Sequence, residues 1–461
     1  MSFQRLTAFL LAMVSLLFGG VGSVVGSTQQ KPVTATQRTY VFDRDKLLFG
    51  AWCFSRDDRF PALVRDFKEA GLQFFINNGT QYFTDEDLAW MDENGIGFFN
   101  GDSAFSRALT NKSAWGVVCR DEPTSGEYDA LAQRVAQGYA EAPDRLPFIN
   151  LLPMYASRKQ LEEETPLRYA TTSTYIDAFD ADSQRYRMYL SDYIGKIDSD
   201  VISFDIYPLS VSKKTGKLGT YRYWLRNLDT VAEACRVSGR DLWVVTQASG
   251  NLLEGGAMRY CNNVEDQRWQ NYVSLAFGAK AIIYACYYTG WWDSESHMID
   301  DSGNRTATYD AVQKATKELA AFADIYTDYE NHGAILYHGR DENAAGANLR
   351  LLPVPLRCRP LVNTQSPVLC GCFTKKDGGG KAYVLANMLE PQTGESAAVS
   401  LTFPGASHVT VYRKGVRSEY DNNKIEITLA TARACSSPPN KRGVLWNLQR
   451  SSAAATIRCW L

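Results

Sequence analysis

The sequence predicts a (β/α)8 barrel followed by a small all-β sandwich. Three observations carry this expectation. Eight short, apolar, β-rich runs lie between Leu47 and Ala285, amphipathic stretches of helical length separate most of them, and after about residue 331 the pattern changes to short alternating runs divided by turn sequences. Parallel strands buried on both faces read as near-continuous apolar runs, and a barrel usually spans ~250 residues.

The predicted barrel strands are Leu47–Cys53, Gln73–Asn77, Gly97–Asn100, Trp115–Cys119, Phe148–Leu152, Val201–Asp205, Leu242–Thr246 and Ala281–Ala285. Helical patterns fall at Pro61–Ala70, with an apolar stripe of Leu63, Val64 and Phe67, and at Thr84–Asn94, where Thr84 is suited to the N-cap and Glu86 and Asp87 to the first turn. Glu127–Ala142, Tyr221–Ser238, Val264–Gly278 and Tyr309–Ile325 complete the series. The third connection, Asp102–Ala114, is short and rich in Ser and Asn. An open doubly wound sheet is the alternative, but no Gly-rich phosphate loop follows the first strand.

Residues 331–430 are expected to form the sandwich, with strands at Gly333–His338, Ala382–Met388, Ala397–Phe403, Val409–Arg413 and Ile425–Leu429. Residues 431–461, with Pro438-Pro439 and scattered Arg, read as an atypical tail, and residues 28–46 as a linker into the 47–330 barrel. Residues 1–27 read as a secretory signal: Arg5 gives the positive start, Leu6–Phe18 the apolar run, and Val25-Gly26-Ser27 a cleavage site. That run is short for a membrane span. The expected destination is therefore export to the periplasm, cell surface or medium, with no stable membrane insertion after cleavage.

With 49 Lys and Arg against 51 Asp and Glu, the net charge of −2 argues against a nucleic-acid partner. The 10 Trp and 25 Tyr fit either large cores or stacking against the C–H faces of sugar rings. Ten Cys permit disulfides, but their spacing suggests no framework, and Cys119 and Cys286 fall in apolar runs as buried thiols. Neither Cys370-Gly371-Cys372 nor the four His has metal-ligand spacing, so no metal and no cofactor are expected.

Barrel enzymes carry their reactive residues at the C-terminal strand ends. Here those ends hold Trp52, Asn77, Asp102, Asp121-Glu122-Pro123, Asn150 and Tyr155, Asp205-Ile206-Tyr207-Pro208, Gln247, and Trp291-Trp292-Asp293. Acids and amides that hydrogen-bond hydroxyls, beside aromatics that stack, suit a neutral carbohydrate.

The run Gly116-Val117-Val118-Cys119-Arg120-Asp121-Glu122-Pro123 resembles the fourth-strand motif of clan A glycoside hydrolases. Val201–Pro208 resembles their sixth strand, and Ala276–Ile283 with Tyr287 and Trp291 their seventh helix and eighth strand, so the resemblance covers about residues 45–330. The flavour is β-galactosidase-like and cellulase-like, with no single family matched. The resemblance implies a glycosidase acting on a plant or microbial oligo- or polysaccharide, with Glu122 as general acid. Two positions depart from it. Asp121 stands where the family has Asn, and Gln247 stands where the family has its Glu nucleophile at the end of strand seven.

A carboxamide cannot act as that nucleophile, so three readings stay open. Asp205 is the base of an inverting pair with Glu122; or Gln247 assists a mechanism that uses the sugar itself; or the barrel binds glycans without cleaving them. Weaker carboxylate candidates are Asp102, Asp293 and Glu295. Candidate sugar contacts are Trp52, Asn77, Asp121, Tyr155, Tyr207, Gln247, Trp291 and Trp292.

Overall fold

The computed structural model describes residues 36, 38–79, 82–101, 110–161, 175–221, 223–253, 255–338, 351, 354–430 and 456–461. The signal residues, Asp102 and residues 431–455 of the expected tail lie outside the described residues.

Eight parallel strands close a barrel in chain order. They are Leu48–Trp52, Phe74–Ile76, Gly97–Gly101, Ala114–Asp121, Leu146–Leu151, Val201–Asp205, Asp241–Gln247 and Ala279–Ala285, and the first pairs with both the second and the eighth. Side chains alternate between the interior and the surrounding helices. The inward set is large: Trp52, Phe74, Phe99, Phe148 and Trp243 join Val118, Val201, Val245 and Ile283 in one buried cluster. The barrel is therefore packed with rings rather than open.

The segment expected as a linker continues this packing from below. Tyr40 and Phe42 are buried, and the Phe42 ring stacks 4.9 Å from Trp115. The Tyr40 hydroxyl donates to Asp200 at 2.8 Å, at the residue that precedes strand six. Arg38 and Arg44 pair with the same buried carboxylate at 3.6 and 3.2 Å.

The helices follow their sequence signals closely. Phe60–Glu69 has Pro in its first turn and buries Leu63, Val64 and Phe67. Asp85–Asn94 is capped by Thr84: the Thr84 hydroxyl accepts from Asp87 N, and the Asp87 carboxylate accepts from Thr84 N. The helix Tyr175–Lys196, between strands five and six, was not expected. Its described core-facing residues include Tyr186, Tyr189 and Tyr193. Among the described residues, no helix is long and apolar enough to cross a membrane. All nine described cysteines are free thiols, with Cys119 and Cys286 buried.

The C-terminal region has two sheets. One contains, in order, Tyr329–Tyr337, Val368–Lys375, Gly380–Asn387, Thr456–Trp460, His408–Arg413 and Val416–Tyr420; the other contains Leu361–Thr364, Ser396–Thr402 and Lys424–Ala430. The expected tail is corrected at its end: Thr456–Trp460 runs parallel to both of its neighbours inside the larger sheet. Its Trp460 ring is fully buried among Phe322, Tyr326, Tyr329 and Phe373, at centroid distances of 5.5–6.0 Å. Those rings belong to both the barrel and the sandwich. Gly371 lies so close to the last turn of the helix Val264–Ala276 that a Cβ would sit 2.3 Å from the Ala276 carbonyl oxygen.

Trp460→Ala removes the ring at this junction and should cost about 3–5 kcal/mol of folding stability, read by denaturant unfolding. An unshifted midpoint would remove the last strand from the core.

Candidate active site

Backbone register sets the acidic centre. Asp121 on strand four pairs with Asn150 on strand five, and Asn150 pairs with Ser203 on strand six. Neighbours in register present their side chains to the same face, and Asp205, two residues beyond Ser203, returns to it. The Asn150 amide nitrogen lies 3.1 Å from Asp121 Oδ1 and 2.8 Å from Asp205 Oδ1. Two oxygens on one nitrogen are at most about 6 Å apart. Ser203 Oγ donates to Asn150 Oδ1 at 3.0 Å, and Asn78 Nδ2 donates to Asp121 Oδ2 at 2.7 Å. Glu122 follows directly, in a left-handed conformation with φ of 50°, its backbone N–H held by the Asn150 carbonyl at 2.8 Å.

Burial raises all three carboxyls, and like charge adds to it at Asp205 and Glu122. Asp205 is buried, and loss of water raises its pKa well above the ordinary value, reinforced by Glu122 and then Asp121. Glu122 is exposed at the rim; partial desolvation raises it first and the Asp121 charge second, against the opposing pull of Arg120. Asp121 is raised by desolvation, and its two asparagine donors oppose that. Among the described residues, the cation that opposes these shifts at Asp121 and Glu122 is Arg120, and its Nε donates to Glu127 at 2.8 Å. Like charges placed this closely titrate as a group.

Aromatic side chains line the approach. Tyr207 and Trp292 meet edge to face at 4.6 Å, Trp292 lies 5.8 Å from Trp291, and Trp291 remains 37% exposed. Tyr155 is 51% exposed and meets Tyr221 edge-on at 5.6 Å. Tyr155, Tyr207, Tyr221 and Tyr223 line an open cleft of about 500 Å3 with Pro208, Ser210, Thr220 and Met258. Tyr221 and Tyr223 were not among the sequence candidates; they become neighbours of Tyr155 only through the hairpin Leu209–Val211 and Leu218–Thr220.

Three sequence candidates are buried and engaged within the protein. Trp52 is 1% exposed, packed on Phe148 and beneath Trp291, so it supports the rim rather than facing a ligand. Asn77 is buried, with its amide spent on Phe54: Oδ1 accepts from Phe54 N at 2.8 Å and Nδ2 donates to Phe54 O at 2.6 Å. Gln247 is fully buried. Its Nε2 donates to the Leu209 and Arg259 carbonyls at 3.0 and 2.9 Å, and its Oε1 accepts from Leu209 N at 2.9 Å. The carboxamide thus joins two loops and has no hydrogen left for a substrate.

Of the weaker candidates, Asp293 accepts from Leu252 N, Leu253 N and the Tyr260 hydroxyl, which makes it a loop anchor. Glu295 Oε1 lies 2.8 Å from the same hydroxyl and competes for its one hydrogen. Among the described residues, no group of three or more His, Cys, Asp or Glu is arranged to hold a metal ion. Five described non-glycine residues have positive φ, and four of them, Cys53, Glu122, Thr289 and Trp292, sit at this rim. Such conformations cost roughly 1–3 kcal/mol each and cluster at functional sites.

No family model matches the chain, and no curated protein matches it in sequence. Solved structures that match include glycoside hydrolases and a 3-deoxy-D-arabino-heptulosonate 7-phosphate synthase from Thermotoga maritima, which is 10% identical with a TM-score of 0.29. A glucosidase from Croceicoccus marinus is 10% identical, with 86% of this chain and 96% of that one covered and a TM-score of 0.39. A β-galactosidase from Bacillus circulans sp. alkalophilus is 12% identical over 62% of this chain, with a TM-score of 0.36, and this chain spans 58% of its length. A GH10 xylanase from Thermobacillus composti is 10% identical, covering 59% of this chain and 97% of that one, with a TM-score of 0.34. Any functional reading therefore has to rest on the side chains.

Gln247→Glu tests the part this amide plays in holding the loops. It places a carboxylate against two carbonyl oxygens in a dry site, and should lower folding stability by about 3 kcal/mol. An unchanged melting temperature would mean that this amide does not hold the two loops.

Proposed function

We propose that the protein is a glycoside hydrolase that cleaves an oligo- or polysaccharide with Glu122 as general acid and Asp205 as general base. The observation that carries this reading is a pair of carboxyls in unlike surroundings, one on the rim and one buried, beside an aromatic cleft at the C-terminal mouth of a barrel. Paired acids whose surroundings separate their proton affinities divide the acid and base roles. Tyr155, Tyr207, Trp291 and Trp292 would stack on sugar rings. The substrate reaches the protein outside the cytoplasm, in keeping with the signal-like first residues.

In the proposed reaction, Glu122 gives its proton to the glycosidic oxygen as the bond from that oxygen to the anomeric carbon breaks. A water attacks the same carbon from the opposite face and passes its proton to Asp205. The products are two sugars with free hydroxyls, and the anomeric configuration inverts. With Gln247 buried, the C-terminal end of strand seven offers no carboxylate for a covalent intermediate, which favours the single displacement.

One observation favours an exchange of roles within the pair: Asp205 is the more deeply buried and holds a proton more tightly. Leaving-group dependence separates the two assignments. Glu122→Gln should lower cleavage of an unactivated oligosaccharide by about 100-fold or more, yet spare an aryl glycoside whose leaving group needs no proton. Asp205→Asn should impair both substrates. The opposite pattern exchanges the two residues. Sugar binding without product release across a broad panel would favour a glycan-binding barrel instead, the reading that Gln247 also admits.

A further inference from the structure

The acidic centre contains a device that the two-carboxylate reading does not use. Asp121 is no free hydroxyl acceptor: Asn150 occupies its Oδ1 and Asn78 its Oδ2. Asp205 Oδ1 accepts from Asn150, and among the described residues no other side chain donates to this carboxyl, so Oδ2 is left without a side-chain partner. Asn150 is 2% exposed, and both hydrogens of its amide are committed to carboxylates. Its orientation is fixed chemically. Turned over, it would aim its carbonyl oxygen at two acids and its NH2 at a hydroxyl; as placed, Ser203 donates to that oxygen.

We propose that Asn150 is the positioning residue of this site, joining Asp121 and Asp205 into one unit in which Asp121 is a fixed anion and Asp205 Oδ2 is the oxygen that exchanges protons. This rests on the glycosidase reading and adds to it. The two amide hydrogens on Asp121 favour its anion and oppose the desolvation that raises it. The standing charge of Asp121 then works on both of its neighbours, so that Glu122 and Asp205 retain one proton between them over the working pH. Inverting cleavage needs that state, one carboxyl protonated and the other ionised. Asn150 sets the balance, because its N–H stabilises only the ionised form of Asp205. The other titratable groups facing Asp205 are Tyr155, Tyr186 and Tyr207, neutral phenols that burial raises further, and Arg120 is engaged by Glu127. This also accounts for Asp121 at a position where the resembled enzymes have Asn.

The test measures the titration of the Asp205 side-chain carboxyl by carbon-13 NMR of the aspartate-labelled full chain, with Asp205→Asn identifying the signal. In Asn150→Ala the Asp205 midpoint should rise by about one pH unit or more, since a donor to the anion is lost. On a cleaved glycoside, kcat should fall with KM little changed, and the acid limb of the profile should move to higher pH. If Asn150→Ala does not fold, Ser203→Ala decides by the same measurement, because it frees the amide to turn over and should move the midpoint in the same direction. A folded variant with an unmoved midpoint overturns the proposal. A moved midpoint in a protein that cleaves no sugar supports the Asn150 assignment and overturns the glycosidase reading alone.

Discussion

A closed parallel barrel has to fill its own interior, and here aromatic rings do most of the filling. Phe74, Phe99, Phe148 and Trp243 occupy the lower and middle levels, while Tyr40 and Phe42 seal the base. The interior thus has room for polar side chains only where the strands end. Asp121, Asn150, Ser203 and Asp205 come together there because the register of strands four to six leaves them on one face. The site is a consequence of the packing beneath it.

The same packing explains the electrostatics. Rings below and tyrosines beside Asp205 keep water away from it, so the acids share a weakly screened space in which, among the described residues, the opposing Arg120 is itself held by Glu127. Such an arrangement opposes stability on its own account. It persists because amides from strands two and five supply donors where a charged partner would otherwise be needed. Asparagine satisfies a carboxylate without cancelling its charge, which keeps the group reactive.

Much of this was legible in the sequence. All eight barrel strands stand out because each is short, apolar and bounded by polar residues, and Thr84 announces its helix by its spacing to Asp87. The mouth residues could be named from their places after the strands. Their orientations could not. Trp52, Asn77 and Gln247 occupy strand ends, as catalytic groups do, but the loops of neighbouring strands fold over them, and only tertiary structure shows that. Asn150 carries no signal of its own, since a lone Asn in an apolar run reads as an exception until its two acids are placed beside it. The helix Tyr175–Lys196 was missed because its core-facing stripe is built from tyrosines among polar residues. Thr456–Trp460 was missed because five residues that alternate weakly, far from other strand signals, do not announce a position inside a sheet.

The Gln247 contacts reach beyond the mouth. The carbonyl of Arg259 accepts from Gln247, while the guanidinium of Arg259, itself buried, spans Asp266 of the barrel and Glu390 of the sandwich at 2.6 Å each. A backbone group and a side chain of one residue thus connect the rim to the second domain. Glu390 also lies two residues before Gln392, whose amide reaches Asp266 at 2.7 Å. The sandwich is therefore not a detachable module. A barrel without it would hold a buried cation short of one counter-charge and an uncovered aromatic flank. Barrel and sandwich should accordingly melt in a single cooperative transition, and the shape of the mouth is inherited in part from a domain whose described residues lie outside it.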